Sequence, residues 1–218
     1  TLAVPLARAG HRVHGCDFAE AMLAILDERA AAEHLPITSH LLAWEDDWEA
    51  AGLGTDSVDV AFASRSLMAE AVGPFVAKLD SAARSRAAVV VPASLLPSRD
   101  PRLLTYLGRT AKRPRVVRDV TRALTSLGRI PVVATTRTFR PMRFSSFDEA
   151  RADLRRLAGP EPFTAREQRL FDAYSAQHIV RRAAESPSGE TSQVWVLDYA
   201  LPVTWVFIGW RTDGSPWG

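Results

Sequence analysis

The segment Arg12-Val13-His14-Gly15-Cys16-Asp17-Phe18-Ala19-Glu20-Ala21-Met22 puts an acid where a strand ends and a helix begins. In open α/β sheets, ligands bind beyond the carboxyl ends of the strands. A carboxylate at that point can accept both hydroxyl protons of a ribose, a geometry that neutral side chains match poorly. Asp17 also fits a second role, capping the helix that follows. Spacing favours the ribose. In nucleotide-binding βαβ units the ribose acid lies about 20 residues past a glycine-rich turn. Counting back from Asp17 puts that turn at or just before Thr1, so a first strand and glycine loop are expected upstream of Thr1 in the native protein. A second group is Tyr174 and His178, four residues apart and therefore on one helix face. Either can orient a nucleophile or accept its proton, although a partly exposed structural role suits both. Arg65 can hold a carboxylate of a substrate or cofactor, or serve as a surface or helix-start arginine. The histidines are His11, His14, His34, His40 and His178; no pair has helical metal-ligand spacing, so no metal site is expected.

The elements that must position these residues alternate between helix and strand over the first 140 or so positions. Residues 1–9 read as the end of a helix stopped by Gly10. Residues 12–16 form a short strand. Residues 18–33 are helical, with Phe18, Met22, Ile25, Leu26 and Ala30 on one apolar stripe, and Pro36 closes the segment. Residues 37–43 are the next strand, followed by Trp44-Glu45-Asp46-Asp47-Trp48. Residues 58–63 read as a buried strand, and Val72, Phe75, Val76, Leu79 and Ala83 as the stripe of another helix. The apolar run 87–91 suits a central strand covered on both faces. A helix over 116–127 ends at Gly128, and the β-branched stretch 130–139 reads as a strand.

The alternation then breaks. Ser146-Phe147-Asp148-Glu149 and Thr164-Ala165-Arg166-Glu167 are capping boxes, each opening a helix. The first helix carries Phe147, Ala150, Leu154 and Leu157. The second is predicted to run to about Ala184 with Leu170, Phe171, Tyr174, His178 and Ile179. A loop over 186–189 precedes two strand signals, 194–200 and 203–210, separated by Pro202. The expected organisation is an α/β core over 1–143, a helical insertion over 144–189 and closing strands of the core over 190–218.

The 218 residues are 47% hydrophobic and 24% charged, which suits a globular chain and excludes a disordered, collagen-like or coiled-coil one. The single cysteine, Cys16, excludes an intramolecular disulfide framework and fits a reducing compartment, so a cytoplasmic location is expected. No apolar run approaches the roughly 18 residues of a membrane span, and residues 1–9 show no basic leader. The net charge of +2 hides an asymmetry: eleven acids and one base over 17–59, twelve bases and two acids over 99–143. With few interleaved aromatics, the basic stretch fits a solvated face better than a nucleic-acid surface.

Taken together, these motifs resemble the class I S-adenosylmethionine-dependent methyltransferases over residues 1–139 and the closing strand 202–210. The resemblance implies a three-layer α/β sandwich with a mostly parallel seven-stranded sheet, an antiparallel last strand and a helical insertion. It implies S-adenosylmethionine as cofactor, with Asp17 on the ribose and Phe18 on the adenine. The pattern Ala19-Glu20-Ala21-Met22-Leu23 matches the helix that follows in that family. Trp44, Glu45 and Asp46 would frame the adenine. Ser64 and Arg65, after the fourth-strand motif Val58-Asp59-Val60-Ala61-Phe62-Ala63, would lie on the methionine side. The insertion occupies a place where such enzymes often build a substrate lid. There Phe144, Phe147, Phe163, Phe171 and Tyr174 either line a pocket or pack the helices.

The residues Ser64-Arg65-Ser66-Leu67 replace the Asn/Asp-Pro-Pro-aromatic motif of amino-methylating enzymes of DNA and some RNA. Cys16 lies beside the ribose acid, not at the nucleophile position of cytosine-carbon methylation. No Gly-x-Ser-x-Gly elbow or Walker loop is present. The expected reaction is methyl transfer to a small molecule, with His178, Tyr174 and Arg65 as catalytic candidates. The alternatives are an RNA methyltransferase using 99–143, a nicotinamide-dependent oxidoreductase and a non-catalytic binding module.

Overall fold

A computed structural model of the chain describes residues 2–67, 72–93, 98–110, 115–139, 142–185 and 191–218. It divides into two compact units, residues 1–60 with 81–84, and residues 61–80 with 85–218.

The first unit is a βαβ turn with a preceding helix. Helix α1 (Ala3–Arg8) leads through Gly10, at φ +92°, into β1 (Val13–Asp17). Helix α2 (Glu20–Ala32) then returns the chain to β2 (Ile37–Leu41). The strands pair in parallel, with Val13 opposite Ile37 and Asp17 opposite Leu41. Gly15 lets α2 approach closely, since a Cβ there would lie 2.6 Å from Leu26 Cδ2. The expected stripe on α2 is turned. Leu23 and Ala30 are buried and Leu26 half-buried, whereas Phe18, Met22 and Ile25 are exposed. Ala19 is extended and caps α2, so Phe18 stands outside the helix. The Arg8 guanidinium donates to both Glu33 carboxylate oxygens, at 2.5 and 2.6 Å, joining α1 to the end of α2. Within the same unit Arg84 pairs with Asp59 and donates to Ser57 O at 3.1 Å.

Strand β3 (Val58–Ser64) begins in the first unit and ends in the second. Helix α3 (Gly73–Ala82) buries Phe75, Val76 and Leu79, and leads directly into β4 (Ala83–Pro92). Two helices follow, α4 (Pro101–Leu107) and α5 (Val116–Ser126). Strand β5 (Val132–Phe139), helices α6 (Phe147–Leu157) and α7 (Ala165–His178), and strands β6 (Ile179–Glu185), β7 (Thr191–Leu197) and β8 (Pro202–Arg211) complete the chain. The sheet order is β3-β4-β8-β5, and β8 is antiparallel to both β4 and β5. The last strand is thus antiparallel, as expected.

The expected seven-stranded sheet is replaced by sheets of two, four and two strands among the described residues. One cause is at the helix predicted to reach Ala184. It stops at His178, and residues 179–185 pair antiparallel with 191–197. That hairpin removes the strand signal at 194–200 from the core sheet. The β-branched Ile179 and Val180 favour the extended backbone. Helix α4 was not foreseen, although Asp100-Pro101 is a cap followed by proline at the first helical position. The loop expected over 186–189 lies outside the described residues.

Two interactions fix the second unit. Asp80, 9% exposed, accepts two hydrogen bonds from Arg129 at 2.8 and 2.9 Å and a third from the fully buried Trp210 indole at 2.9 Å. Glu167 closes the capping box of α7 by accepting from Thr164 N at 2.8 Å, and also accepts from Arg109 Nε at 2.6 Å. The Arg109 contact and the Thr164 amide and hydroxyl hold the Glu167 carboxyl down to about 2. At Ser146 only half the box forms: its hydroxyl accepts from Glu149 N, while the Glu149 carboxylate turns to Ser145. Arg109 and Arg129, both from the basic stretch, are thus committed to internal carboxylates.

The helices, the hairpin and the start of β8 share one apolar core that includes Leu103, Leu154, Phe171, Ile179, Leu197, Leu201 and Trp205. The Ser175 hydroxyl is buried there with no hydrogen-bond partner among the described residues. Phe171→Ala should therefore cost about 3–5 kcal/mol in urea unfolding. Ser175→Ala should cost nothing and gain up to about 1 kcal/mol. Glu167→Gln should lower the unfolding midpoint at pH 7. Because the folded carboxyl titrates lower than the usual 4.5, the stabilisation it brings is complete above 4.5 and fades as pH falls toward 2. The gap between the variant and the parent should close over that window.

Candidate functional site

Asp17 ends β1, and its Oδ1 accepts from Ala19 N at 2.9 Å. This bond shapes the turn before α2, but it is not a cap: the N-cap is Ala19, and no side chain caps the helix. The second oxygen of Asp17, Oδ2, accepts no hydrogen bond among the described residues. Phe18 follows and is 79% exposed. Because β1 and β2 are parallel and in register, the segment after β2 leaves the same end of the pair; Leu42 N donates to Asp17 O at 3.0 Å. That segment is a tight loop. Ala43 N donates to Asp46 Oδ2 at 2.7 Å, Trp48 Nε1 donates to Ala43 O at 2.9 Å, and the Trp44 and Trp48 rings stack at 5.2 Å. Asp46 is engaged in holding the loop, and Glu45 is exposed. This end of the first unit offers one positioned carboxylate oxygen beside an exposed aromatic face. Such a set fits a ribose with a planar base.

Ser64 and Arg65 belong to the second unit and are exposed at the end of β3. Arg65 adopts φ +63°, a left-handed conformation rare for arginine. Its N–H donates to Val90 O at 3.0 Å, and its guanidinium lies 4.8 Å from the centre of the Trp205 ring. Trp205 in turn donates to Thr138 Oγ1 at 3.1 Å.

Tyr174 and His178 lie on one face of α7, their rings 4.3 Å apart. They meet residues that the sequence did not bring forward. His178 Nδ1 is 2.9 Å from Asp198 Oδ1, and Asp198 N donates to His178 O at 3.0 Å. The carboxylate can only accept, so Nδ1 carries a proton, and in the neutral imidazole the lone pair is then on Nε2. Tyr199 donates to the fully buried Asp100 at 2.5 Å, and its ring meets that of Tyr174 edge-on at 6.3 Å. Burial, then the Asp100 contact, hold the Tyr199 phenol far above its ordinary value; burial raises Tyr174 as well. Both phenols therefore stay protonated, and the group able to take a proton is His178, not Tyr174.

With Arg102, Thr105 and Tyr106 these residues line an open cleft of about 430 Å³. Asp100 also positions Arg102: its Oδ1 accepts from Arg102 N at 2.9 Å, and the guanidinium sits 4.9 Å from the Tyr199 ring centre. Of the aromatics expected to line a lid pocket, Phe171 and Tyr174 are buried in the core. Phe163 packs on Phe171, and Phe147 packs edge-on against Trp195. Tyr174 alone among those five lines this cleft. The sequence signals that were available are the Asp100-Pro101 cap and an Asp-Tyr pair at the strand end before Pro202; their meeting is tertiary. No group of three or more His, Cys, Asp or Glu residues suited to a metal ion occurs among the described residues. No described helix is long and apolar enough to cross a membrane.

No protein-family model and no curated protein matches the sequence. Solved structures do match. A protein from Bacillus halodurans C-125, provisionally assigned as a methyltransferase, is 12% identical with a TM-score of 0.51, over 93% of this chain and 83% of that one. The geranyl diphosphate C-methyltransferase of Streptomyces coelicolor A3(2) was solved with Mg2+, geranyl diphosphate and S-adenosyl-L-homocysteine. It is 12% identical with a TM-score of 0.50, over 96% of this chain. The chain spans 66% of that enzyme's length. With the parallel βαβ start and the antiparallel closing strand, these likenesses establish that the chain has the fold of the class I S-adenosylmethionine-dependent methyltransferases.

Proposed function

We propose that the protein transfers a methyl group from S-adenosylmethionine to a small-molecule acceptor. The observation that carries the reading is Asp17, held by Ala19 N at the carboxyl end of a parallel strand with one oxygen still open and Phe18 exposed beside it. Asp17 holds the ribose diol. Phe18 and the loop Trp44–Glu45–Asp46 hold the adenine. When bound, S-adenosylmethionine supplies an electrophilic methyl group, and transfer to the acceptor leaves S-adenosylhomocysteine and releases the acceptor's proton. The chain's own task is alignment and exclusion of water, and alignment alone supplies about 7–11 kcal/mol in favourable cases.

The engagement of Arg109 with Glu167 and of Arg129 with Asp80 supports a small acceptor over RNA, since these basic side chains serve the fold. A reducing, cytoplasmic setting is part of the same reading and rests on the single cysteine.

Isothermal titration of S-adenosylmethionine into the protein checks the cofactor assignment. Asp17→Asn keeps an oxygen for Ala19 N but removes the charge, and should weaken binding at least tenfold; Asp17→Ala should weaken it about 100-fold. Circular dichroism should be unchanged in both. Equal affinity in Asp17→Asn and the parent, or no binding by the parent, would refute the reading.

A further inference from the structure

We propose that the cleft between α4, α7 and the segment 198–199 is an acceptor site for a small hydroxylated aromatic carboxylic acid, with Arg102 holding the carboxylate and His178 taking the phenolic proton. The proposal deepens the methyl-transfer reading and rests on it for the fate of the deprotonated oxygen.

Four rings line the cleft, those of Tyr106, Tyr174, His178 and Tyr199. They meet one another edge-on or tilted: Tyr106 on Tyr174 at 5.0 Å, Tyr174 on Tyr199 at 6.3 Å and His178 on Tyr199 at 5.5 Å. Walls of this kind select a flat, apolar body. The volume, about 430 Å³, is that of a small-ligand pocket.

The polar groups choose the substituents. Arg102 is exposed, and its guanidinium forms no ion pair among the described residues. The nearby carboxylates are committed: Asp100 is buried against Tyr199 and the amide of Arg102, and Asp198 is paired with His178. The guanidinium is therefore the one charged donor lining the cleft that stands outside any ion pair among the described residues, and it suits a planar carboxylate met by its two-pronged face. Across the same cleft, Asp198 fixes the imidazole so that Nε2 is the open acceptor. An imidazole is matched to a phenol, whose ordinary pKa is about 10, and poorly matched to an aliphatic alcohol. In the proton step the phenolic O–H bond breaks and its electron pair stays on oxygen. The proton bonds to Nε2, and Asp198 stabilises the resulting imidazolium. The Tyr199 hydroxyl is engaged with Asp100, and burial holds the Tyr174 phenol protonated, so both shape the cleft and do not compete for that proton.

The test uses the whole chain and three probes: 4-hydroxybenzoate, benzoate and phenol, titrated calorimetrically without cofactor. Hydroxybenzoate and benzoate should bind saturably. Arg102→Met should weaken both at least tenfold, Arg102→Lys should recover part of the loss, and phenol should be indifferent to either change. Absence of saturable hydroxybenzoate binding, or equal binding in Arg102→Met and the parent, overturns the site. In a separate assay with labelled S-adenosylmethionine, His178→Gln should cut label transfer to hydroxybenzoate at least 100-fold. Transfer undiminished in that variant overturns the role of His178. Arg102-dependent binding with no transfer by the parent leaves the carboxylate site standing and refutes the methyl-transfer reading instead.

Discussion

A buried carboxylate is stable only where donors surround it, and Asp80 imposes that condition on most of the second unit. Its three hydrogen bonds come from two distant places in the chain: the arginine just after the glycine that ends α5, and the indole near the end of β8. Meeting all three at once requires α3, α5 and β8 to take their places together. Removal of any one donor leaves charge or a buried N–H unmatched, which costs more than the contact itself contributes. The position of β8 between β4 and β5 is thereby secured at one end by Trp210. At its other end β8 is preceded by Leu201 in the apolar core, and Tyr199 and Asp198 lie three and four residues before its start. The anchoring of a structural strand thus reaches the residues that face the cleft.

Two carboxylates, one lining the cleft and one buried behind it, differ in their surroundings. Asp100 is sealed from water, caps α4 and takes the Tyr199 proton in a hydrogen bond, so it orders its surroundings. Asp198 is exposed and faces an imidazole, where its charge can respond to a proton arriving on the ring. Burial separates the two: one acid is closed to solvent and the other is open to it. The first unit shows the same economy: one Asp17 oxygen fixes the turn into α2 while the other is left open.

Much of this was legible in the residues. The βαβ start followed from an acid between a β-rich run and an amphipathic one, and the capping boxes at 146 and 164 gave two helix starts to the residue. The end of α7 was not legible. Helical periodicity continues past His178, and pairing with residues 191–197 decides the matter for β6. The buried face of α2 was also misjudged, because a stripe read on a helical wheel does not say where the helix begins, and Phe18 falls outside it. For the site, Tyr174 and His178 could be noticed by their spacing. Asp198, Tyr199, Asp100 and Arg102 could not, since up to 99 positions separate partners that touch. The Asp100-Pro101 cap marks a helix start locally, but nothing local marks the meeting of these residues.

His178 is the last residue of α7 and Ile179 the first of β6, with no linker between helix and strand. The imidazole is consequently geared to two different repeats. One residue gained or lost in α7 would swing it by about 100° around the helix axis, and one in β6 would slide the ladder that ends beside Asp198. Drift in length at this junction is thereby forbidden, whereas point changes along the exposed faces of either element are free to accumulate, so the seam should behave as a fixed origin from which the surrounding loops diverge.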